Sequence, residues 1–314
     1  MKTSLNLALV ALAALAIIQR GPTLEPPSGQ KDGSPTKRSA GHYASVNGLN
    51  LYYELHEPAG EATAAAVPLI VLHGGIGCTE MFDPILPALN KGRKVIAIDL
   101  QAHGRTGDID RPLRVEFMAD DVYALTRELK VEAVDILGYS LGGGVALHFA
   151  IQHPDAVHKL VVVATPVKRS GWYPEILAAT SQLGPKAAED FKASPLYKTY
   201  AAIAPDPKAW PTLITKLGEL LRRDYDWTKE VAGLKMPVLI VVGDADAVRT
   251  AHAVEFFELL GGGKKDAGWD GAGMPSSHLA ILPGVTHYDI LPTPALVAAV
   301  VPFLDAAGSK SGRP

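Results

Sequence analysis

The chain has 314 residues, of which 47% are apolar and 20% charged, with a formal charge of −3. That apolar share is too high for a disordered chain, and 30 Lys+Arg against 33 Asp+Glu leave no overall basic field of the kind that binds nucleic acid. A single cysteine, Cys78, excludes an internal disulfide and a thiolate metal cage.

At the start, Lys2 precedes an apolar run over residues 5–18 broken only by Asn6. The run has the length of a signal-peptide core and falls short of the ~20 residues of a membrane-spanning helix. Residues 1–18 therefore read as a signal peptide, with an uncleaved membrane anchor as the alternative. The expected location is periplasmic or secreted, and any membrane tether would run through this segment alone. Residues 19–41, rich in Pro, Gly, Ser and Lys, read as a flexible linker. A single domain is expected over 42–306, followed by a frayed tail at 307–314.

Two short strands at 43–46 and 49–55 flank Asn47-Gly48, a strong hairpin signal. Continuous apolar runs at 67–72, 94–98, 133–137, 160–163, 238–242 and 279–282 predict strands buried on both faces. Helical stretches at 120–129, 142–151, 253–260 and 295–304 lie between them. This alternation predicts an α/β fold, a mostly parallel sheet flanked by helices. Residues 167–231 break the rhythm, with no strand and with helical stretches near 173–183 and 210–223. They carry Trp172, Trp210 and Trp227. An insertion at the carboxyl ends of the strands would form a helical lid over a cleft, and the same aromatics would also pack it onto the sheet. Leucines between 213 and 221 favour a partly apolar substrate group, while Arg222 and Arg223 read as a solvated face.

Gly138-Tyr139-Ser140-Leu141-Gly142 follows one predicted strand and opens a helix. A turn this sharp needs glycine at both flanks, because a Cβ there would strike the neighbouring strand or helix. It holds the Ser140 hydroxyl above the sheet, where the helix N-terminus points backbone N–H groups. A serine hydroxyl needs a base to become a nucleophile, and the base needs an orienting carboxylate. Gly243-Asp244-Ala245-Asp246 ends a later strand, and His287 lies in the loop after the last one.

Ser, Asp and His in that order resemble the α/β-hydrolase-fold serine hydrolases over residues 41–306, with 167–231 at the family's lid position. The resemblance implies Ser140 as nucleophile, His287 as base and Asp246 as the acid, with Asp244 as the rival that otherwise caps the turn. His73-Gly74-Gly75-Ile76-Gly77 resembles the family's oxyanion loop. It implies the N–H of Gly75 and that of Leu141 as oxyanion donors, with Ile76 as the alternative to Gly75. His73 is expected to hold the loop. The stretch 99–106 resembles another family loop but departs from it at Gln101-Ala102, and His103 takes no catalytic role.

Serine at the turn argues against the dehalogenases and epoxide hydrolases of this fold, which need a carboxylate nucleophile. No G-x-G-x-x-G follows the first strand, so no dinucleotide cofactor is expected. His148, His153 and His158 recur at five-residue steps and spread around a helix, so no metal is expected. The Gly-rich stretch 261–277, with Asp266 and Asp270, is expected to be functional or disordered without an ion site. The expected activity is hydrolysis of a small carboxylic ester or lactone through an acyl-enzyme. Perhydrolysis, carbon–carbon bond hydrolysis and ligand binding without turnover are the alternatives.

Overall fold

The computed structural model describes residues 41–60 and 67–306. The segments read as signal peptide or anchor (1–18) and tail (307–314) lie outside the described residues, as does the linker except for Gly41. That residue already belongs to the first strand. Among the described residues, no helix is long and apolar enough to cross a membrane.

Strands β1 (Gly41–Val46) and β2 (Leu49–His56) form an antiparallel hairpin. Its turn residues Asn47 and Gly48 both have positive φ, the requirement of the tight turn that suits strand twist. The sheet continues with β3 (Leu69–Leu72), β4 (Val95–Ile98), β5 (Val134–Tyr139), β6 (Val157–Val163), β7 (Val238–Ala245) and β8 (His278–Thr286). Their spatial order is β1-β2-β4-β3-β5-β6-β7-β8, and every pair from β4 onward is parallel.

The helices in chain order are α1 (Leu86–Leu89), α2 (Val115–Glu128), α3 (Leu141–Gln152), α4 (Pro174–Thr180) and α5 (Pro185–Asp190). They continue with α6 (Pro195–Ile203), α7 (Trp210–Arg222), α8 (Thr228–Ala232), α9 (Thr250–Leu259) and α10 (Pro294–Asp305). Alternation along the central strands divides the core into two layers. Ile70, Leu72, Ile96 and Ile98 pack with α2, α3 and α9 on one face. Leu69, Val71, Val95 and Ala97 pack with α1 and α10 on the other. The continuous apolar runs of β3 to β7 follow directly, since both faces of these strands are covered; the run at 279–282 differs, because β8 is an edge strand whose Ile281 is exposed. Lys159 of β6 is buried, and its ammonium caps the end of α10 by donating to the carbonyls of Phe303, Leu304 and Ala306.

Helix α2 begins five residues before the predicted stretch. Its N-cap is Arg114, which makes no side-chain capping bond, so the usual start signal is missing. Helices α4 to α8 fill the insertion between β6 and β7. Their core gathers Trp210, Leu213, Ile214, Tyr200 and Phe191. Helices α5 and α6 were not foreseen, although each opens on a proline, where that residue's fixed φ suits the first helical turn.

Candidate active site

Ser140 occupies the turn from β5 into α3, with φ 53° and ψ −115°, a backbone state that side chains other than glycine rarely adopt. The surrounding chain holds it there. Its N–H donates to the Val163 carbonyl (2.9 Å), and its carbonyl accepts from Thr165 Oγ1 (2.9 Å). A Cβ at Gly138 would run into the main chain of Gly142, and one at Gly142 into the carbonyl of Leu72. Both flanking glycines are thus steric requirements of the turn.

His287 follows β8 and is buried. Its Nε2 lies 3.1 Å from Ser140 Oγ, and its Nδ1 lies 2.9 Å from Asp246 Oδ1. A carboxylate opposite Nδ1 places the ring proton on that nitrogen and leaves Nε2 as the acceptor toward the serine hydroxyl. Asp246 is itself held by the N–H groups of Gly243 (3.2 Å) and Val248 (3.0 Å). Asp244 points elsewhere, being exposed and accepting the Gly284 N–H at 2.8 Å. On a regular strand positions 244 and 246 would share a face, but β7 shifts register between Gly243 and Ala245 and ends there, so the two carboxylates part.

The loop after β3 approaches the serine closely. A Cβ at Gly74 would lie 2.8 Å from the Tyr139 ring and 3.3 Å from Ser140 Cβ. The His73 ring fixes this loop: Nδ1–H donates to the Gly74 carbonyl (2.7 Å), and Nε2 accepts the Leu100 N–H (3.0 Å). Burial pushes its pKa down to about 3, so the ring is neutral and structural. Asp99 anchors the next loop by accepting the N–H groups of Thr79 (2.7 Å) and Arg105 (2.8 Å).

Sequence reasoning missed Tyr139. Its hydroxyl donates to the main-chain carbonyl of His287 at 2.7 Å. Gln101 is likewise buried, its amide joining Asp108 (2.8 Å) to Arg111 (2.7 Å). Neither role has a local signal, because each partner is distant in sequence or depends on how a loop closes.

A cavity of about 540 Å³ opens beside Ser140, beneath α4 to α7. Gly75, Ile76, Leu141 and His287 line it together with Ser140. Trp172 and Trp227 border it, whereas Trp210 is buried in the lid core with its Nε1–H on the Ala188 carbonyl (2.8 Å). Of the two arginines read as a solvated face, Arg223 reaches the cavity and Arg222 donates to the Leu183 carbonyl (2.7 Å). A second, more open hollow of about 720 Å³ lies between the β1–β2 turn and α2, and it shares no lining residue with the cavity beside Ser140.

His148, His153 and His158 go to separate partners: the Trp227 ring, Asp120 and Asp135. Asp266 and Asp270 each accept a local N–H, from Gly268 and Ala272. Among the described residues, no group of three or more His, Cys, Asp or Glu side chains is placed to hold a metal ion.

Residues 67–196 match the family described as alpha/beta hydrolase fold. The chain is 30% identical to the AB hydrolase superfamily protein YisY of Bacillus subtilis over 207 residues, which span 58% of this chain and 75% of that protein. It is 34% identical to an sn-1-specific diacylglycerol lipase of Danio rerio over 117 residues, 37% of this chain and 35% of the lipase. The chain spans less than half the length of that lipase and of several other curated relatives it matches. An enol-lactonase structure from Burkholderia xenovorans aligns with TM-score 0.62 and 22% identity, covering 83% of this chain and 99% of the lactonase.

Proposed function

The chain belongs to the α/β-hydrolase superfamily, and on that premise we propose that it hydrolyses a carboxylic ester or lactone through an acyl-enzyme on Ser140. The observation that carries this reading is the unbroken run of contacts from Ser140 Oγ to His287 Nε2 (3.1 Å) and from His287 Nδ1 to Asp246 (2.9 Å). The lipase and the lactonase among the similar proteins support an ester or lactone as the substrate.

In this mechanism His287 takes the hydroxyl proton as Ser140 Oγ attacks the carbonyl carbon. Asp246 holds the imidazole in the tautomer that accepts at Nε2 and stabilises the imidazolium as it forms. Negative charge then builds on the former carbonyl oxygen. The N–H groups of Gly75 and Leu141 are assigned to receive it, each worth about 3 kcal/mol of barrier. Gly143 and Gly144 at the start of α3 donate to the Ser140 carbonyl, which leaves the N–H of Leu141 ahead of them at the helix N-terminus, where the dipole favours an anion. His287 next gives its proton to the departing alcohol. Water, activated by the same nitrogen, then releases the acid and restores Ser140.

The test pairs a fluorophosphonate probe with steady-state turnover of a p-nitrophenyl ester. Labelling of Ser140 and ester cleavage, both lost in Ser140→Ala, are expected. A Ser140→Ala protein that still turns over the ester would overturn the assignment. Labelling without turnover would make the protein a ligand binder on a hydrolase scaffold.

A further inference from the structure

The lid wall of the cavity consists largely of Ile176, Leu177, Leu183, Leu217, Leu220 and Leu221. Leu217, Leu220 and Leu221 share one face of α7 at three- and four-residue spacing. Leu217 lies close to the chemistry. A methyl group built on Gly75 would lie 3.4 Å from its Cδ2, so this leucine abuts the loop assigned to the oxyanion.

The wall is also fixed in place. Lys216, the preceding residue, donates all three ammonium protons into the loop after β4: to Asp108 (2.5 Å) and to the carbonyls of Ile109 (2.9 Å) and Arg111 (2.8 Å). Gln101 braces the same loop through Asp108 and Arg111. Helix α7 is therefore tied to the body beside Leu217, and the room between Leu217 and Ser140 is set by the fold.

Charge limits the occupant further. The charged residues lining the cavity are Arg223, Asp224, Asp226 and Glu116, three carboxylates against one guanidinium. Neighbouring cations are engaged elsewhere: Lys216 as above, Lys168 with Glu255, and Arg222 on the carbonyls of Ser181 and Leu183. An anionic substituent among the leucines would lose its hydration, and the one lining guanidinium, Arg223, is exposed to solvent and does not replace it.

We propose that the substrate is an uncharged ester with an apolar acyl chain of about six to eight carbons, and that Leu217, beside the oxyanion loop, limits the room left for that chain. This rests on the acyl-enzyme reading above. The size agrees with the cavity: about 540 Å³ lies within the roughly 300–1,000 Å³ of small-molecule sites, room for a medium-length chain together with its leaving group.

The experiment is a series of p-nitrophenyl esters from acetate to dodecanoate, run on the full chain. Each added methylene should raise kcat/KM about fourfold until the six- to eight-carbon esters, after which the gain should stop. Leu217→Ala should move the optimum longer by at least two carbons, and Leu217→Phe should move it shorter. The mono-p-nitrophenyl ester of an eight-carbon diacid should react at least 100-fold more slowly than the octanoate. An optimum at acetate, a flat series, or equal rates for the charged and neutral eight-carbon esters would overturn the inference while leaving the acyl-enzyme intact. Absence of turnover for every ester, with no labelling of Ser140, would bring down both. The wild-type series decides the chain length even if Leu217→Phe fails to fold, and an optimum that Leu217→Ala leaves unmoved would overturn the part given to Leu217.

Discussion

The phenol of Tyr139 donates a 2.7 Å hydrogen bond to the main-chain carbonyl of His287, across 148 positions of sequence. Its ring also packs against Gly74, so one side chain touches the serine turn, the loop after β3 and the histidine loop. The group that carries the imidazole is thereby located by the residue next to the hydroxyl it must reach. Burial drives the phenol's pKa far above its ordinary value, so it remains a donor throughout the working pH range.

Tyr139→Phe keeps the ring and removes the bond. Losing one buried hydrogen bond that positions a base should lower kcat about tenfold with little change in KM, because a misplaced imidazole affects the reacting geometry more than substrate binding. Steady-state kinetics on one ester checks this. An unchanged kcat would mean that the histidine loop is held by its other contacts alone.

Asp246→Asn should reduce kcat about 10⁴-fold, since an amide opposite Nδ1 favours the wrong tautomer. Asp244→Asn removes only an exposed acceptor for Gly284 and should change kcat by less than about threefold. Measuring the two side by side identifies the acid, and a reversal of the effects would assign it to Asp244.

Gly142→Ala should destabilise the protein by at least about 3 kcal/mol, because the new methyl would overlap the Leu72 carbonyl. Gly184→Ala serves as the contrast, since nothing lies within 4 Å of the added methyl. Urea unfolding midpoints for both variants test whether the glycine is needed for steric reasons.

His103 is fully buried, with Nδ1–H donating to the Gln101 carbonyl and no hydrogen-bond partner at Nε2. Burial pushes its pKa down to about 4. Between pH 4 and 6.5 the unfolded chain binds a proton that the folded ring refuses, so this group's contribution to stability is present above that window and lost as pH falls through it. Wild type should therefore lose about 2 kcal/mol more than His103→Gln between pH 7 and pH 5. Urea unfolding of both proteins at the two pH values measures that difference directly, and equal losses would count against a neutral buried ring.

Much of the architecture was legible along the chain. Six continuous apolar runs marked strands, five of them covered on both faces and the sixth the half-exposed edge strand β8, and Asn47-Gly48 marked the hairpin, because these depend on local composition and on φ values that only certain residues adopt. The helices α5 and α6 and the early start of α2 were not legible. Their boundaries depend on packing within the lid and on an N-cap, Arg114, that carries no capping side chain.

The turn around Ser140 could be read from five consecutive residues, since its glycines answer to steric demands that arise within a few ångströms. Tertiary structure set Asp246, which the resemblance already favoured, against His287 and Asp244 against Gly284; it alone brought Tyr139 under the His287 carbonyl and drew Trp172 and Trp227 to the cavity while burying Trp210. The reason is physical. Periodicity records which face of an element is covered, but which particular side chain lies across from it depends on the register of strands and the closure of loops far apart in the chain.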